Sequence, residues 1–219
     1  MIYIILVLLN ACLVYAAPTI HGPTGLIEMP TADVLRYQEY TVGIDYLAEA
    51  RSVSDPRHED SNFYKFNIGT YDNVEMGIVG GTRPDEGVFI NMKYHVFEEE
   101  KLNPIGVAIG TEKLTSRSET ATYIVMSKPF GAGIATHFGF RALFDHDIDA
   151  SAMLGADYLI TDKFAVVLDM VGEATVYRLN IGARWFVSDA VTLQAAVLDT
   201  AGADNNPQFT LGASINKFL

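Results

Sequence analysis

Cysteine is nearly absent: Cys12 is the one thiol in 219 residues. It sits in an apolar leader, so the rest of the chain has no disulfide, no cysteine zinc ligand and no cysteine nucleophile. Long apolar runs are missing too. No stretch reaches the ~18–20 consecutive apolar residues that a membrane-crossing helix needs, so a helical membrane protein is excluded. Positive charge is scarce, with 15 Lys and Arg against 27 Asp and Glu and a net charge of −12. Without a basic cluster to neutralise phosphates, nucleic acid is excluded as a partner. No Ser/Pro-rich linker interrupts the chain, which favours one domain over two.

Residues 1–16 stand apart. Ile2 to Val14 is apolar, and Val14, Tyr15 and Ala16 form a small-x-small cleavage pattern ahead of Ala17 and Pro18. This is the form of a secretory signal peptide cut after Ala16, although the usual Lys or Arg before the apolar run is missing. A lipoprotein site at Cys12 is the weaker reading, because the cysteine comes early and Asn10 is unusual at its position.

What the chain has in quantity is alternation. From Tyr177 to Leu198 hydrophobicity alternates with period two, pauses at Ser188, Asp189 and Ala190, and alternates again, which reads as a β-hairpin. Pairing about Asp189 sets Trp185 against Leu193, Ala183 against Ala195 and Ile181 against Val197 on one face, with Arg184 against Gln194 on the other. A water-soluble hairpin carries Lys, Glu and Thr on its solvent face. Here the second face holds Asn180, Gly182, Arg184 and Gln194, the pattern of a strand between lipid and a lumen.

Alternating segments recur at 38–47, 62–71, 74–82, 87–97, 104–112, 119–128, 133–142, 150–161, 164–171, 176–187, 191–199 and 208–219. The expectation is an all-β fold, an antiparallel transmembrane β-barrel of about twelve strands over 38–219, with ten or fourteen as alternatives. Connections alternate as well. Short turns at Asp72-Asn73, Thr161 to Lys163 and Ser188 to Ala190 contrast with the longer, charged 48–61, 143–149 and 200–207. Asx side chains suit such turns, and short connections on one side with long ones on the other are what outer-membrane barrels have. Two connections blur the rule, 98–103 being long and 172–175 short for their sides.

In phase, one face reads Tyr40, Val42, Ile44 and Tyr46, then Val88, Ile90, Met92 and Tyr94, and finally Phe209, Leu211 and Ile215. The other holds Asp45, Lys65, Glu75, Asn91, Lys93, His95, His137, Arg141, Asp157, Asp169, Arg178 and Arg184. A charge facing lipid near the midplane costs ~2–4 kcal/mol, so these residues are assigned to the lumen. Asp169 and Arg178, equidistant from 172–175, are expected to pair across it. The last strand alternates to the terminus like the signal read by the barrel-assembly machinery, although Lys217 and Leu219 depart from its usual form. Outer-membrane lipid and lipopolysaccharide are the other expected partners.

Glycine recurs on the lumen phase, as at Gly43, Gly69, Gly77, Gly155, Gly182 and Gly212. Wall curvature accounts for that, and so does something packed close inside. Residues 17–37 are too broken by Gly and Pro for a long strand or helix, yet they carry Leu26, Ile27 and Met29. Apolar side chains in an exported irregular segment need cover. The segment is therefore expected to dock in the lumen or at its periplasmic mouth, as a plug.

Catalytic patterns are lacking. There is no G-x-S-x-G, and neither His95 nor His137 has a Ser or carboxylate partner defined by spacing. Gly131 to Gly133 lacks the third glycine of a dinucleotide loop and reads as a turn. Asp145, Asp147 and Asp149 could offer oxygens to calcium, but the glycine of an EF-hand loop is missing, so a solvated acidic loop is the expectation. No metal and no cofactor is expected, and no enzymatic activity.

The string from Gly22 to Ala32, G-P-T-G-L-I-E-M-P-T-A, with a strand opening at Tyr40, resembles the start of the YjbH-like family of outer-membrane barrel proteins associated with exopolysaccharide production. Gly25, Leu26, Ile27, Pro30, Thr31 and Ala32 carry the match, and Tyr71 to Gly77 and Asn180 to Trp185 look like hairpins of the same kind. The resemblance implies a non-enzymatic outer-membrane barrel serving exopolysaccharide secretion or envelope organisation, with polysaccharide or its export proteins as partners. The alternative is a general diffusion porin for small solutes, motivated by the polar lumen.

Overall fold

The structure, a computed structural model, describes residues 17–49, 60–82, 87–97, 105–116, 120–144, 147–173, 176–203 and 207–219. The leader, Asp145 and parts of several connections lie outside the described residues.

Alternating segments without room for helices have one way to satisfy every backbone group, which is to close on themselves. Twelve strands do so: β1 (Glu39–Glu49), β2 (Ser61–Tyr71), β3 (Val74–Gly81), β4 (Val88–Phe97), β5 (Gly106–Glu112), β6 (Thr120–Phe130), β7 (Ile134–Phe144), β8 (Ile148–Thr161), β9 (Phe164–Glu173), β10 (Val176–Ser188), β11 (Val191–Leu198) and β12 (Gln208–Phe218). Each pairs antiparallel with its sequence neighbours, and β1 closes the ring on β12. The strand count is twelve, and the bounds differ from the sequence expectation mainly at the ends, as where β7 continues to Phe144 and β8 begins at Ile148.

The β10–β11 register is Ile181 with Val197, Ala183 with Ala195, Arg184 with Gln194 and Trp185 with Leu193. Period two fixes which residues share a face, and the turn about Asp189 fixes which of them stand opposite. The turn itself adds a feature that alternation does not encode, a bulge between Phe186 and Ser188. Equivalent irregularities occur at Gly69/Tyr71, His95/Phe97 and Leu159/Thr161, so β2, β4, β8 and β10 all end in one at the same rim. Bulges add twist at a barrel's edge. In two of these turns the closing side chain is the residue before the Asp: Thr161 Oγ1 accepts Lys163 N–H, and Ser188 Oγ accepts the N–H groups of Ala190 and Val191.

The outer surface is apolar, with Val42, Ile78, Ile124, Trp185 and Leu211 among its exposed side chains. The interior is not hollow. Ile20, Leu26 and Ile27 from the N-terminal segment pack with Leu47, Val167, Ala196 and Leu198 of the wall. Met29 and Ala32 pack with Ala108, Tyr123, Val125, Met153 and Val171. Both cores therefore lie between segment and wall. The glycines serve this close packing: a Cβ at Gly155 would strike Leu26 and Met29, and one at Gly69 would strike the backbone of Leu35 and Arg36. At Gly212 the space is taken by Asp45 of the neighbouring strand.

Candidate functional site in the lumen

The N-terminal segment is a compact loop. Bridges join Pro18 to Thr24 and Gly25 to Pro30. Leu26 N–H donates to Met29 O at 2.8 Å, and Thr31 N–H to Thr24 O at 3.2 Å, which makes a tight turn with its tip at Leu26 to Met29. Residue 25 must be glycine, since a Cβ there would meet Met29 O and Pro30 Cα. The turn aims three consecutive amides one way. Asp169 Oδ2 on β9 accepts the N–H groups of Ile27, Glu28 and Met29 at 2.8, 2.8 and 3.0 Å. Converging amides of this kind form an anion nest, and the wall supplies the anion.

The rest of the wall also reads backbone. Arg184 on β10 donates to Gly25 O and Leu26 O, both at 2.6 Å, and is held by Gln194 at 2.7 Å. Lys93 on β4 donates to Thr24 O, Lys65 on β2 to Thr19 O, and Asn67 and Asn91 to Gly22 O and His21 O. Glu75 on β3 accepts from Thr24 N–H at 2.8 Å, from Thr24 Oγ1 at 2.5 Å and from Leu35 N–H at 3.1 Å. These partners stand on opposite sides of the ring, so the segment is held from all round. The cations are neutralised within the wall as well. Lys65 pairs with Asp45, Lys93 lies 3.7 Å from Glu75, and Arg141 lies 3.4 Å from Glu112.

His137 has the partners that spacing did not reveal. Its Nδ1 meets Ser127 Oγ at 2.7 Å and its Nε2 meets Asp157 Oδ1 at 2.8 Å, joining β6, β7 and β8. The Ser127 oxygen also accepts Ala32 N–H at 2.8 Å, so this chain of groups ends on the segment's backbone. A cavity of ≈ 50 Å³ beside it is bounded by Thr31, Asp33, His137, Asp157 and Arg184. His95 stays local, its Nε2 against Phe97 O.

Glu28 is the segment's own charged anchor. Its carboxylate accepts from Asn180 at 2.8 Å and lies 3.4 Å from His21 and 3.9 Å from Arg178. Burial pushes its pKa up, but His21, Arg178 and Asn180 together outweigh that and hold it at about 2.

Asp169 and Arg178 do not face each other. The connection between β9 and β10 is residues 174–175, so Glu173 meets Val176, Arg178 meets Val171 and Asp169 meets Asn180. A turn centred one residue later slides the register by two, which keeps the face and changes the partner. Glu112, Ser127 and Asn67 also line the lumen, and the inward phase of their strands is the sequence signal that marks all three. Of the acidic triplet, Asp145 is outside the described residues, and among the described residues no three metal-ligating side chains converge.

No protein-family model matches the chain. No curated protein matches it. Solved structures of the same fold do. A KdgM porin in complex with disordered oligogalacturonate aligns with TM-score 0.61 at 10% identity, covering 81% of this chain and 100% of that one. The NanC porin aligns with TM-score 0.58 at 12% identity over 80% and 98%. The outer membrane protein Omp33 of Acinetobacter baumannii aligns with TM-score 0.51 at 11% identity over 83% and 98%. At such identities the likeness is one of fold, that of outer-membrane barrels.

Proposed function

We propose that the chain is an outer-membrane channel of porin type which its own N-terminal segment holds shut. One observation carries the reading: a charged, polar lumen binds a folded loop chiefly through the loop's backbone, with Asp169, Arg184, Lys93 and Glu75 as anchors. A wall that only had to close could fill its interior with apolar side chains. A polar, charged interior is what a water-filled passage uses. The apolar outer face suits a bilayer, and export through the 1–16 leader would deliver the chain to the outer membrane, among phospholipid and lipopolysaccharide. The likeness to KdgM, NanC and Omp33 barrels supports passage of small solutes. It moves the porin reading ahead of the exopolysaccharide role, which rests on the resemblance from Gly22 to Ala32 alone. Those same residues have a mechanical use here, since they form the turn that Asp169 and Arg184 hold. The Ser127–His137–Asp157 chain is read as a structural tie to Ala32, not as catalysis.

Conductance in planar bilayers tests this. The full chain is expected to conduct little, and a variant lacking Thr19 to Ala32 to open to a larger, steady conductance. Equal conductance from the two, with the truncated barrel folded, would refute closure by the segment. A deletion strain with unaltered surface polysaccharide and altered solute uptake fits a pore, whereas lost polysaccharide would restore the secretion role.

A further inference from the structure

We infer that the lumen, once the segment withdraws, takes uncharged hydroxyl-rich solutes, neutral oligosaccharides above all, in preference to polyanions or polycations. This deepens the channel reading and rests on it. The argument starts from charge. Among the described residues the buried charges of the wall strands are three cations, Lys65, Lys93 and Arg184, and four carboxylates, Asp45, Glu75, Glu112 and Asp169. The half-buried inward positions Arg141, Arg178, Glu39 and Asp157 add two of each sign, and Asp149 stands exposed at the rim. The charges are also interleaved: Lys65 with Asp45, Lys93 with Glu75 and Arg141 with Glu112 are ion pairs within the wall. A polyanion would find each of those cations beside a carboxylate, and a polyamine the reverse, so neither gains a field of one sign.

The hydrogen-bonding pattern points the same way. Lys65, Lys93, Arg184, Asn67 and Asn91 donate to seven segment carbonyl sites, at Thr19, His21, Gly22, Thr24, Gly25, Leu26 and Thr31. Glu75, Asp169 and Ser127 accept from seven segment donors, the N–H groups of Thr24, Ile27, Glu28, Met29, Ala32 and Leu35 and the Thr24 hydroxyl. With Asn180 donating to the Glu28 carboxylate as well, the wall makes eight donations and seven acceptances, and so is nearly as much acceptor as donor toward what it holds. When the segment leaves, the same groups need a ligand offering both functions in similar number, because buried polar groups left unpaired are costly. A carboxylated sugar chain is rich in acceptors, and a polyamine has donors only. A neutral sugar hydroxyl donates and accepts from one atom, as the peptide backbone does over two.

The test uses the Thr19 to Ala32 deletion in detergent, with maltohexaose, trigalacturonate and spermine as probes in calorimetric titration at low salt, where charge effects are strongest. Maltohexaose is expected to bind at least about tenfold more tightly than either charged probe, a difference of ~1.4 kcal/mol. Equal or tighter binding of trigalacturonate or spermine overturns the inference, and so does no binding of maltohexaose. Where the deletion fails to fold, the full-length Ile27→Ser/Met29→Ser double variant loosens the segment and leaves the wall intact. Bilayer recordings of the same variants separate the two readings. Maltohexaose binding without conductance upholds the specificity and refutes the channel. Conductance with a strong preference for one ion sign upholds the channel and refutes the specificity.

Discussion

Asp169 is the residue on which most depends, since one carboxylate oxygen satisfies three consecutive amides of a buried turn. Replacing it with Ala strands those amides, and removing one partner from a buried charged arrangement costs about 3 kcal/mol or more. Amide exchange at Ile27 to Met29 should then quicken by about a hundredfold. Asp169→Asn, which keeps an acceptor and loses the charge, should have the smaller effect. Glu28 contributes a pH dependence. Its folded pKa of about 2 lies below the ordinary 4.5, so it stabilises docking fully above pH ~4.5, and that contribution, on the order of 3 kcal/mol, is lost as pH falls toward 2. Protease sensitivity of the segment measured from pH 6 down to 2 should rise across that window, and in Glu28→Gln it should be raised already at pH 6.

At the scale of elements, the glycine-lined wall and the segment are shaped to each other. Gly155→Leu would put a side chain where Leu26 and Met29 lie, and the overpacking, typically ~1–3 kcal/mol, should fall on docking and leave the barrel standing. Heat-modifiable migration would stay normal while the segment becomes cleavable; loss of the barrel itself would show that wall and segment fold as one unit. Strand phase was legible in the sequence because period two and a lipid face leave no second solution, and the β10–β11 register followed from the turn about Asp189. At β9–β10 the turn lies one residue later than the sequence suggests, so the phase is kept and the partners change. The bulges at Phe186/Ser188 and its counterparts were not legible, because one extra residue at a rim changes no alternation inside the strand. Nor was the union of Ile27 with Asp169, or of Ala32 with Ser127, since contacts across a lumen join positions 142 and 95 residues apart and have no local period. His137 shows the same limit: its partners sit 10 and 20 residues away on adjoining strands, visible only once register is known.

The whole molecule is a lipid-facing cylinder around an occupied lumen, and its two surfaces should respond oppositely to charge. Ile124→Arg, at an exposed outer position of β6, should cost ~2–4 kcal/mol of barrel stability if it lies near the bilayer midplane, while inward charges are already accommodated. Unfolding titrations in lipid vesicles would measure it, and no loss would mean that this face does not meet lipid. Occupancy of the lumen is tested most directly by one thiol. Ile27 is fully buried between segment and wall, whereas Tyr37 at the segment's end is 55% exposed. With Cys12 replaced by Ser, Ile27→Cys and Tyr37→Cys can each be exposed to a bulky, water-soluble maleimide in the folded state. Ile27→Cys should react about a hundredfold more slowly, the factor expected for an opening free energy of ~2.8 kcal/mol, and should match Tyr37→Cys once the protein is unfolded. Equal rates in the folded barrel would mean that the segment does not occupy the lumen.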